Sequence, residues 1–204
     1  MKFTIEVACE KHRRYAEEIC AEMELSAKVR GTGIAKRSSE YVEGKMREGK
    51  AVIALDEQHL FAGFSYIESW SHELFVANSG LIVNPKYRKS GLARQIKKKI
   101  FELSLKKYPK AKIFSITTSL AVLKLNSELG YKPVTFSELT DDDAFWKGCE
   151  ACVNYDILQR NNRRMCLCTG MLYDPAKEEK NTFDFIKKFN LLERFRRTTT
   201  ANAK

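Results

Sequence analysis

The chain has 204 residues, of which 44% are hydrophobic and 30% are charged, which is the composition of a globular protein with enough apolar material for a core. Four prolines and ten glycines exclude a collagen-like or low-complexity chain. No apolar run approaches the roughly 18 residues that a membrane-spanning helix needs, and the first residues lack the long apolar stretch of a secretory signal. We therefore expect a cytoplasmic protein with no membrane span.

Lysine and arginine total 36 and aspartate and glutamate total 26, so the formal net charge is +10. Such a charge favours an anionic partner, a class that includes nucleic acid, acidic lipid and phosphate-bearing cofactors, and it does not choose among them. The six cysteines of a cytoplasmic chain are expected to be reduced thiols that serve as metal ligands, redox groups or core residues.

Hydrophobic periodicity predicts a mixed α+β fold with several antiparallel strands in the first half of the chain, followed by alternating helices and strands. This order is not that of a doubly wound nucleotide-binding sheet. The first half is predicted to contain a strand at 3–7, a helix at 10–24, a basic loop at 28–37, a helix at 40–48 capped by Ser38 or Ser39, and strands at 51–55, 60–70 and 75–83. A loop at 85–91 then leads to a helix at 92–108, whose lysines are predicted on its polar face. The remaining predicted elements are strands at 113–118, 133–136 and 165–173, helices at 120–129 and 141–148, and an amphipathic helix at 182–197.

The segment 81–94 is the most informative part of the sequence, because a hydrophobic strand enters a basic, glycine-containing loop and a helix begins at once. Backbone N–H groups in such a loop lie at the positive end of the helix dipole, a geometry that binds a diphosphate. Gly91 permits close approach of the ligand, and Arg88 and Lys89 add full charges. A surface loop that merely caps an amphipathic helix is the alternative.

The same loop resembles the acyl-CoA pyrophosphate signature of the GNAT superfamily of N-acetyltransferases, which has Gln or Arg, two residues, Gly, one residue, and then Gly or Ala. Here the signature is Arg88-Lys-Ser-Gly91-Leu-Ala93, and the preceding Val83-Asn-Pro85 also fits the family. The second family signature, a helix that ends in a Gly-aromatic pair, is matched by 120–131. The resemblance covers roughly residues 3–136 and a final strand, and the chain is similar to a subgroup that acylates glutamate early in arginine biosynthesis.

The resemblance implies a GNAT-like sheet, mixed and mostly antiparallel, that splays at the cofactor strand and carries helices on both faces. It implies an acyltransferase domain at 1–175, with a Cys-rich insertion and the last strand at 145–170, and a basic amphipathic C-terminal helix and tail at 176–204. Acetyl-CoA or another acyl-CoA is the implied cofactor. The residues implied to hold it lie on the cofactor strand, the pyrophosphate loop and the neighbouring helix, namely Leu81, Ile82, Val83, Arg88, Lys89, Ser90, Gly91, Leu92, Ala93, Ser119 and Asn126.

The implied reaction is direct transfer of an acetyl or other short acyl group to a primary amine, with a base that removes the amine's proton and a backbone N–H that polarises the thioester carbonyl. Glu68, on the strand beside the cofactor strand, is the first candidate base, with His72 and Glu73 as alternatives. Many family members have a tyrosine as proton donor where this chain has Asn126. An amide can hydrogen-bond a sulfur but cannot deliver a proton at neutral pH.

The loop at 28–37 is rich in cations and lies where the family binds its acceptor. Lys28, Arg30 and Arg37 are candidate acceptor residues, since an arginine can form a forked contact with a carboxylate. They predict an acidic acceptor such as an amino acid, with glutamate as one candidate. A solvated basic loop is the alternative.

Two pairs of cysteines, Cys149 with Cys152 and Cys166 with Cys168, are separated by 13 residues. This spacing is typical of a tetrahedral structural zinc site with four thiolates, although a zinc knuckle normally has two residues between its cysteines. A dithiol redox switch and reduced core cysteines are the alternatives, and we expect Cys9 and Cys20 to lie in the core.

The rival to an enzyme is a non-catalytic nucleic-acid or protein-binding module that uses the cysteine knuckle and the basic tail. The cofactor signature at 88–93 argues against it, and nucleic acid is the less favoured partner. The apolar stripe of the C-terminal helix predicts packing on its own domain or on the partner subunit of a homodimer.

Overall fold

The computed structural model describes residues 2–31 and 37–178, without the side chain of Arg30. Contacts group the chain into two units, Met1–Tyr173 and Asp174–Lys204. The helix predicted at 182–197 and the tail behind it lie outside the described residues. None of the described helices is long and apolar enough to cross a bilayer.

Seven strands form one sheet: β1 (Thr4–Val7), β2 (Ala51–Leu55), β3 (Phe61–Trp70), β4 (Phe75–Val83), β5 (Lys112–Thr117), β6 (Lys132–Val134) and β7 (Thr169–Tyr173). Their order in the sheet is β1-β2-β3-β4-β5-β7-β6. Neighbours pair antiparallel, except that β4 and β5 pair parallel. β2 is buried along its whole length, as its continuous apolar sequence predicts.

Six α-helices of the described residues cover the sheet: α1 (Ala16–Arg30), α2 (Ser39–Arg47), α3 (Leu92–Lys107), α4 (Leu120–Glu128), α5 (Asp143–Lys147) and α6 (Tyr155–Arg160). On one face, Ile100 of α3 packs in a cluster with Ile113 of β5, and side chains of α4 pack against the same cluster. On the other face, α1 and α2 cover β2 and β3, whereas α5 and α6 cover Phe114 and the β7 side. Each large apolar side chain buried in this way contributes about 1.5–3 kcal/mol.

The fold class predicted from the sequence is confirmed, and β2 and β4 have the predicted bounds. Ser38 caps α2, since its Oγ accepts a hydrogen bond from the N–H of Tyr41 at 3.2 Å. The last strand, however, begins at Thr169 and not at 165, because Cys166 and Cys168 pack against the cluster beneath α5 and α6 instead of extending the sheet. Helix α6 was not predicted, since six residues carry little periodicity.

A β-bulge bends β4 near its middle. Tyr66 pairs with Ser79 and Phe64 pairs with Ile82, so two residues of β4 oppose one residue of β3. The first of these two residues, Gly80, has φ +62°, and a Cβ there would lie 2.3 Å from the Tyr66 ring. Only glycine therefore fits this position without displacing its neighbours.

Replacement of Gly80 by alanine is expected to destabilise the protein by roughly 2–4 kcal/mol, because the strain of the left-handed backbone adds to the overlap with Tyr66. Urea unfolding measures the loss. Gly31→Ala is the matched control, since Gly31 has φ +63° and no described atom within 4 Å of its Cβ position; it should lose only about 1 kcal/mol. Equal losses in the two variants would contradict the steric argument.

Candidate active site

The sheet opens where β4 and β5 part. The two strands pair only over Phe75–Ala77 and Lys112–Phe114. Beyond these rungs β4 continues along β3 to Val83, whereas β5 continues along β7 to Thr117. The facing edges of these two strand ends share no rung in the described structure. A ligand that enters between them can pair with backbone N–H and C=O groups. We call this opening the fork.

β4 leads directly into a loop with the geometry of an anion site. Asn84 begins a short 3₁₀ turn, and its Oδ1 accepts the N–H of Lys86 at 3.1 Å. Lys89 and Gly91 then have positive φ values of 64° and 81°, and α3 begins at Leu92. Because positive φ values alternate with ordinary ones at 89–91, successive backbone N–H groups of the loop turn towards one side. The first-turn N–H groups of α3 add to them, since a helix provides no acceptor for its own first turn.

The arginines of this loop connect it to the helices around it. Nη2 of Arg88 lies 3.1 Å from Glu22 Oε1 and 3.0 Å from Ser26 Oγ, both on α1. Arg94, in the first turn of α3, pairs with Glu128 of α4 at 2.7 Å. The loop predicted to hold a diphosphate is therefore joined to α1 on one side and to α4 on the other.

A buried polar cluster lies beside the fork on the α1 and α2 face. Glu68 is only 6% exposed, and its Oε2 accepts a hydrogen bond from Ser79 Oγ at 2.7 Å. Its Oε1 accepts one from the Tyr41 hydroxyl and one from Arg37 Nη2, the latter at 3.3 Å. The structure thus brings together the first candidate base and one candidate acceptor cation. Neither Tyr41 nor Ser79 was predicted, because their roles depend on contacts between distant segments.

The electrostatics of this cluster are set by burial and by Glu68. Burial, with the Glu68 carboxylate, raises the pKa of Tyr66 to about 12. Burial acts against the charge of Arg37, but Tyr66 and Glu68 outweigh it and raise the pKa of the guanidinium. Burial lowers the pKa of Lys45, whose ammonium lies 4.9 Å from the centre of the Tyr41 ring. Arg37 therefore keeps its positive charge beside the fork.

The other candidates for the base and the acceptor contacts lie elsewhere. Lys28 is 70% exposed and pairs with Glu24 at 3.1 Å, while the side chain of Arg30 and the loop residues 32–36 lie outside the described structure. His72 and Glu73 are exposed in the turn between β3 and β4. That turn adjoins the end of β4 that is still paired with β5, so Glu68 is the candidate base nearest to the fork.

Helix α4 carries a buried amide with unmet hydrogen-bonding capacity. Asn126 is 0% exposed, and neither Nδ2 nor Oδ1 has a hydrogen-bond partner among the described residues. Leaving a buried polar atom unpaired costs about 1–3 kcal/mol, and such an atom is expected where a ligand completes its bonds. Ser119 has a structural role as well, because its Oγ caps α4 by accepting the N–H of Val122 at 3.4 Å.

A second polar cluster, on the α3 face, was not predicted from the sequence. The lysines of α3 were predicted on its polar face, but Lys97 is only 2% exposed. The available signal was its spacing, since Lys97, Ile100 and Ser104 follow one another at helical intervals on the buried side. Its ammonium lies 3.5 Å from Oδ1 of Asn78, the first residue of β4 beyond the paired rungs.

The predicted zinc site at the four clustered cysteines has no support among the described residues and stays a prediction. Burial, with Cys152 and Cys166 nearby, raises the pKa of Cys149 to about 11. Burial, with the other three cysteines nearby, raises that of Cys168 to about 12. The four thiols are thus neighbours, and Cys149 and Cys168 are harder to ionise than a free thiol. No group of three or more His, Cys, Asp or Glu side chains in 2–31 and 37–178 is found that could hold a metal ion.

Comparison with known proteins identifies the fold. No protein-family model and no curated protein matches the sequence. Solved structures do match, among them the N-acetylglutamate synthase of Neisseria gonorrhoeae with coenzyme A and N-acetylglutamate, at 15% identity and a TM-score of 0.60. That match covers 85% of this chain and 35% of the synthase, so this chain spans about a third of its length.

Two smaller proteins match over most of their own length. A Mycobacterium tuberculosis protein solved with CoA is 12% identical, with a TM-score of 0.59 over 84% of this chain and 98% of that one. A GNAT-superfamily phosphinothricin acetyltransferase from Sinorhizobium meliloti, solved with acetyl-CoA, is 13% identical, with a TM-score of 0.54 over 85% and 89%. The chain therefore has the GNAT acetyltransferase fold.

Thiol alkylation is expected to follow exposure and pKa, because the thiolate is the reactive form. Cys9, predicted in the core, is exposed and should react first with iodoacetamide at pH 8. Cys149 and Cys168 should react at least about tenfold more slowly, since each unit of pKa removes a factor of ten in thiolate. Peptide mass spectrometry measures the rates. A chelator should leave them unchanged; faster alkylation of these two cysteines with chelator would instead establish a bound metal.

Proposed function

We propose that this chain is an acyl-CoA-dependent N-acyltransferase, the activity carried by the acetyltransferases whose fold it has. The observation that carries the proposal is the position of the fork, which opens directly onto the loop of convergent N–H groups at 84–91. A long ligand with a diphosphate at one end and an extended amide-bearing arm at the other fits these two features together, and acyl-CoA has that shape and charge.

The cofactor would lie along β4. Its pyrophosphate would accept hydrogen bonds from the loop that begins at Arg88, where Gly91 leaves no side chain in the way. Its pantetheine arm would pair with the backbone of Leu81–Val83, as an added strand pairs with a sheet edge. The thioester would then lie towards Asn78 and Ser79, where β4 and β5 begin to part.

The chemistry requires an amine without its proton, attacking the carbonyl carbon of the thioester. The carbon–nitrogen bond forms, the carbon–sulfur bond breaks, and the electron pair of that bond leaves on sulfur. Glu68, acting through water, would take the proton of the amine, because it is the carboxylate beside the fork. A backbone N–H of β4 near the Gly80 bulge would stabilise the negative carbonyl oxygen.

The acceptor in this proposal is a small acidic metabolite with a primary amine, such as an amino acid. Arg37 supports it, because its guanidinium keeps its charge although only 22% of the side chain is exposed. Such a group is suited to a carboxylate brought close to Glu68. Glutamate is the specific candidate, in keeping with the synthase of the same fold, which is solved with N-acetylglutamate.

The rival function, a binding module built on a cysteine knuckle and a basic tail, has less support. The knuckle would need a metal-binding arrangement of thiols, which the described residues do not contain, and the tail lies outside them. A module of that kind also gives no reason for a fork beside an anion-binding loop.

Replacement of Gly91 by glutamate is expected to weaken acetyl-CoA binding at least about 100-fold, because a carboxylate would occupy the diphosphate site, while the protein stays folded. Isothermal titration calorimetry and circular dichroism measure the two effects. Gly49→Glu is the control, since Gly49 also has a positive φ and lies in a different turn, next to Lys107; it should bind as the unaltered chain does. Unchanged affinity in Gly91→Glu would place the diphosphate elsewhere.

Release of coenzyme A thiol from acetyl-, succinyl- and longer acyl-CoAs across a panel of amines tests the reaction and its acceptor. We expect turnover with dicarboxylic amino acids to exceed that with their amides. Arg37→Gln should reduce kcat/KM about 10- to 100-fold for the acidic acceptors and less for the amides, because it removes a bidentate contact between the guanidinium and the acceptor carboxylate. If acidic and neutral acceptors lose equally, Arg37 serves only to hold Glu68. No turnover with any pair would exclude the enzyme.

A further inference from the structure

Lys97 is a lysine enclosed by the protein. Its ammonium lies 3.5 Å from Oδ1 of Asn78 and 5.1 Å from the centre of the Tyr131 ring. Asn78 is fixed from two further sides, since the Tyr131 hydroxyl donates to its Oδ1 at 3.0 Å and its own Nδ2 donates to Ser104 Oγ at 2.7 Å. The amine is therefore held in one place by a rigid, hydrogen-bonded asparagine.

Within 2–31 and 37–178, no opposite charge is recorded beside this amine. Burial lowers the pKa of Lys97 to about 7, and no charged group of the described residues contributes to the shift. The titratable groups that face the cluster are phenols: burial raises the pKa of Tyr131 well above its usual range, so it is neutral, and Tyr173 lies beyond it with ring centres 6.2 Å apart. Ser104, which bonds Asn78, and Phe101, whose ring packs on that of Tyr131, carry no charge. A buried ammonium without a counter-ion is unfavourable and marks a functional position.

The position of the Lys97 amine relative to the fork indicates a function for this side chain. Asn78 is the first residue of β4 past the last rung shared with β5, and its side chain lies on the α3 face. The next residue, Ser79, lies on the opposite face and holds Glu68. Two consecutive residues of one strand therefore fix a positive group on one face of the fork and a carboxylate on the other.

We propose that Lys97 supplies the positive charge that stabilises coenzyme A as the departing thiolate. This inference rests on the proposed acyl transfer. When the amine nitrogen bonds to the carbonyl carbon, the carbon–sulfur bond breaks and sulfur receives its electron pair, while the proton of the amine goes by way of water to Glu68. The new anion then lies at the fork near Asn78, and the amide of Asn126 is not an acid that could protonate it. The ammonium form of Lys97, protonated before the transfer begins, attracts this anion, and the low-polarity surroundings strengthen the attraction.

A packing role alone does not explain a lysine here. Methionine has a similar length and would fill the same space between Asn78 and Tyr131 without the cost of burying an amine. Lys97→Met is accordingly the variant that keeps the volume and removes the charge. Lys98→Met is its matched control on the same helix, because the Lys98 side chain is 68% exposed.

The test titrates the thiol of bound coenzyme A by the ultraviolet absorbance of the thiolate. In the unaltered protein and in Lys98→Met, we expect the bound thiol to ionise about one pH unit lower than in Lys97→Met. At a pH where the thiol is ionised, Lys97→Met should bind coenzyme A about tenfold more weakly yet bind desulfo-coenzyme A, which lacks the sulfur, equally well. Its kcat should fall about 10- to 100-fold, with a smaller change in KM.

Equal thiol ionisation in Lys97→Met and the unaltered protein would overturn the inference. So would a bound thiol in the unaltered protein that ionises no lower than free coenzyme A, a measurement that holds even if the variant does not fold. Failure of the unaltered protein to bind coenzyme A would overturn the proposed function itself. If the unaltered protein and Lys97→Met bind coenzyme A and turn over equally well, the role of Lys97 is excluded and the proposed function stands.

Discussion

The early end of the parallel pairing between β4 and β5 is the constraint on which the rest of the site depends. Three rungs hold the two strands together, and each strand then follows a different antiparallel neighbour. The loop proposed to bind the diphosphate begins where β4 ends, so one strand positions both the opening and the loop.

The bulge at Gly80 and the alternating side-chain directions along β4 place polar groups on both faces of this opening. On one face Ser79 bonds Glu68, which also accepts bonds from Tyr41 and Arg37, while on the other face Asn78 contacts Lys97 and Tyr131. The Asn78 cluster is buried and the Glu68 cluster is partly buried, so charges in both act in surroundings less polar than bulk water. The proposed acyl transfer uses both, with proton removal on one face and thiolate stabilisation on the other.

The fold and the loop could be predicted because their signals are local. The continuous apolar run of β2, the start of α3 after Gly91 and the Gly130-Tyr131 ending of the α4 region each occupy a few adjacent residues. The partners of Glu68 could not be predicted, because Tyr41 and Arg37 are about 30 residues away along the chain. The zinc site stays a prediction: the cysteine spacing behind it is local, whereas a metal site needs the four thiols to converge in the tertiary structure.

The sequence by itself determined most of the order of strands and helices and the basic loop with glycine at its helix end. Those properties follow from backbone preferences, periodicity and residue chemistry, which neighbouring residues decide among themselves. Only the tertiary structure decided that β4 leaves β5 after Ala77 and that a lysine of α3 faces inward with no counter-ion among the described residues. Both depend on the solvent-excluding contact of segments far apart in the chain, and burial is a property that no single segment possesses.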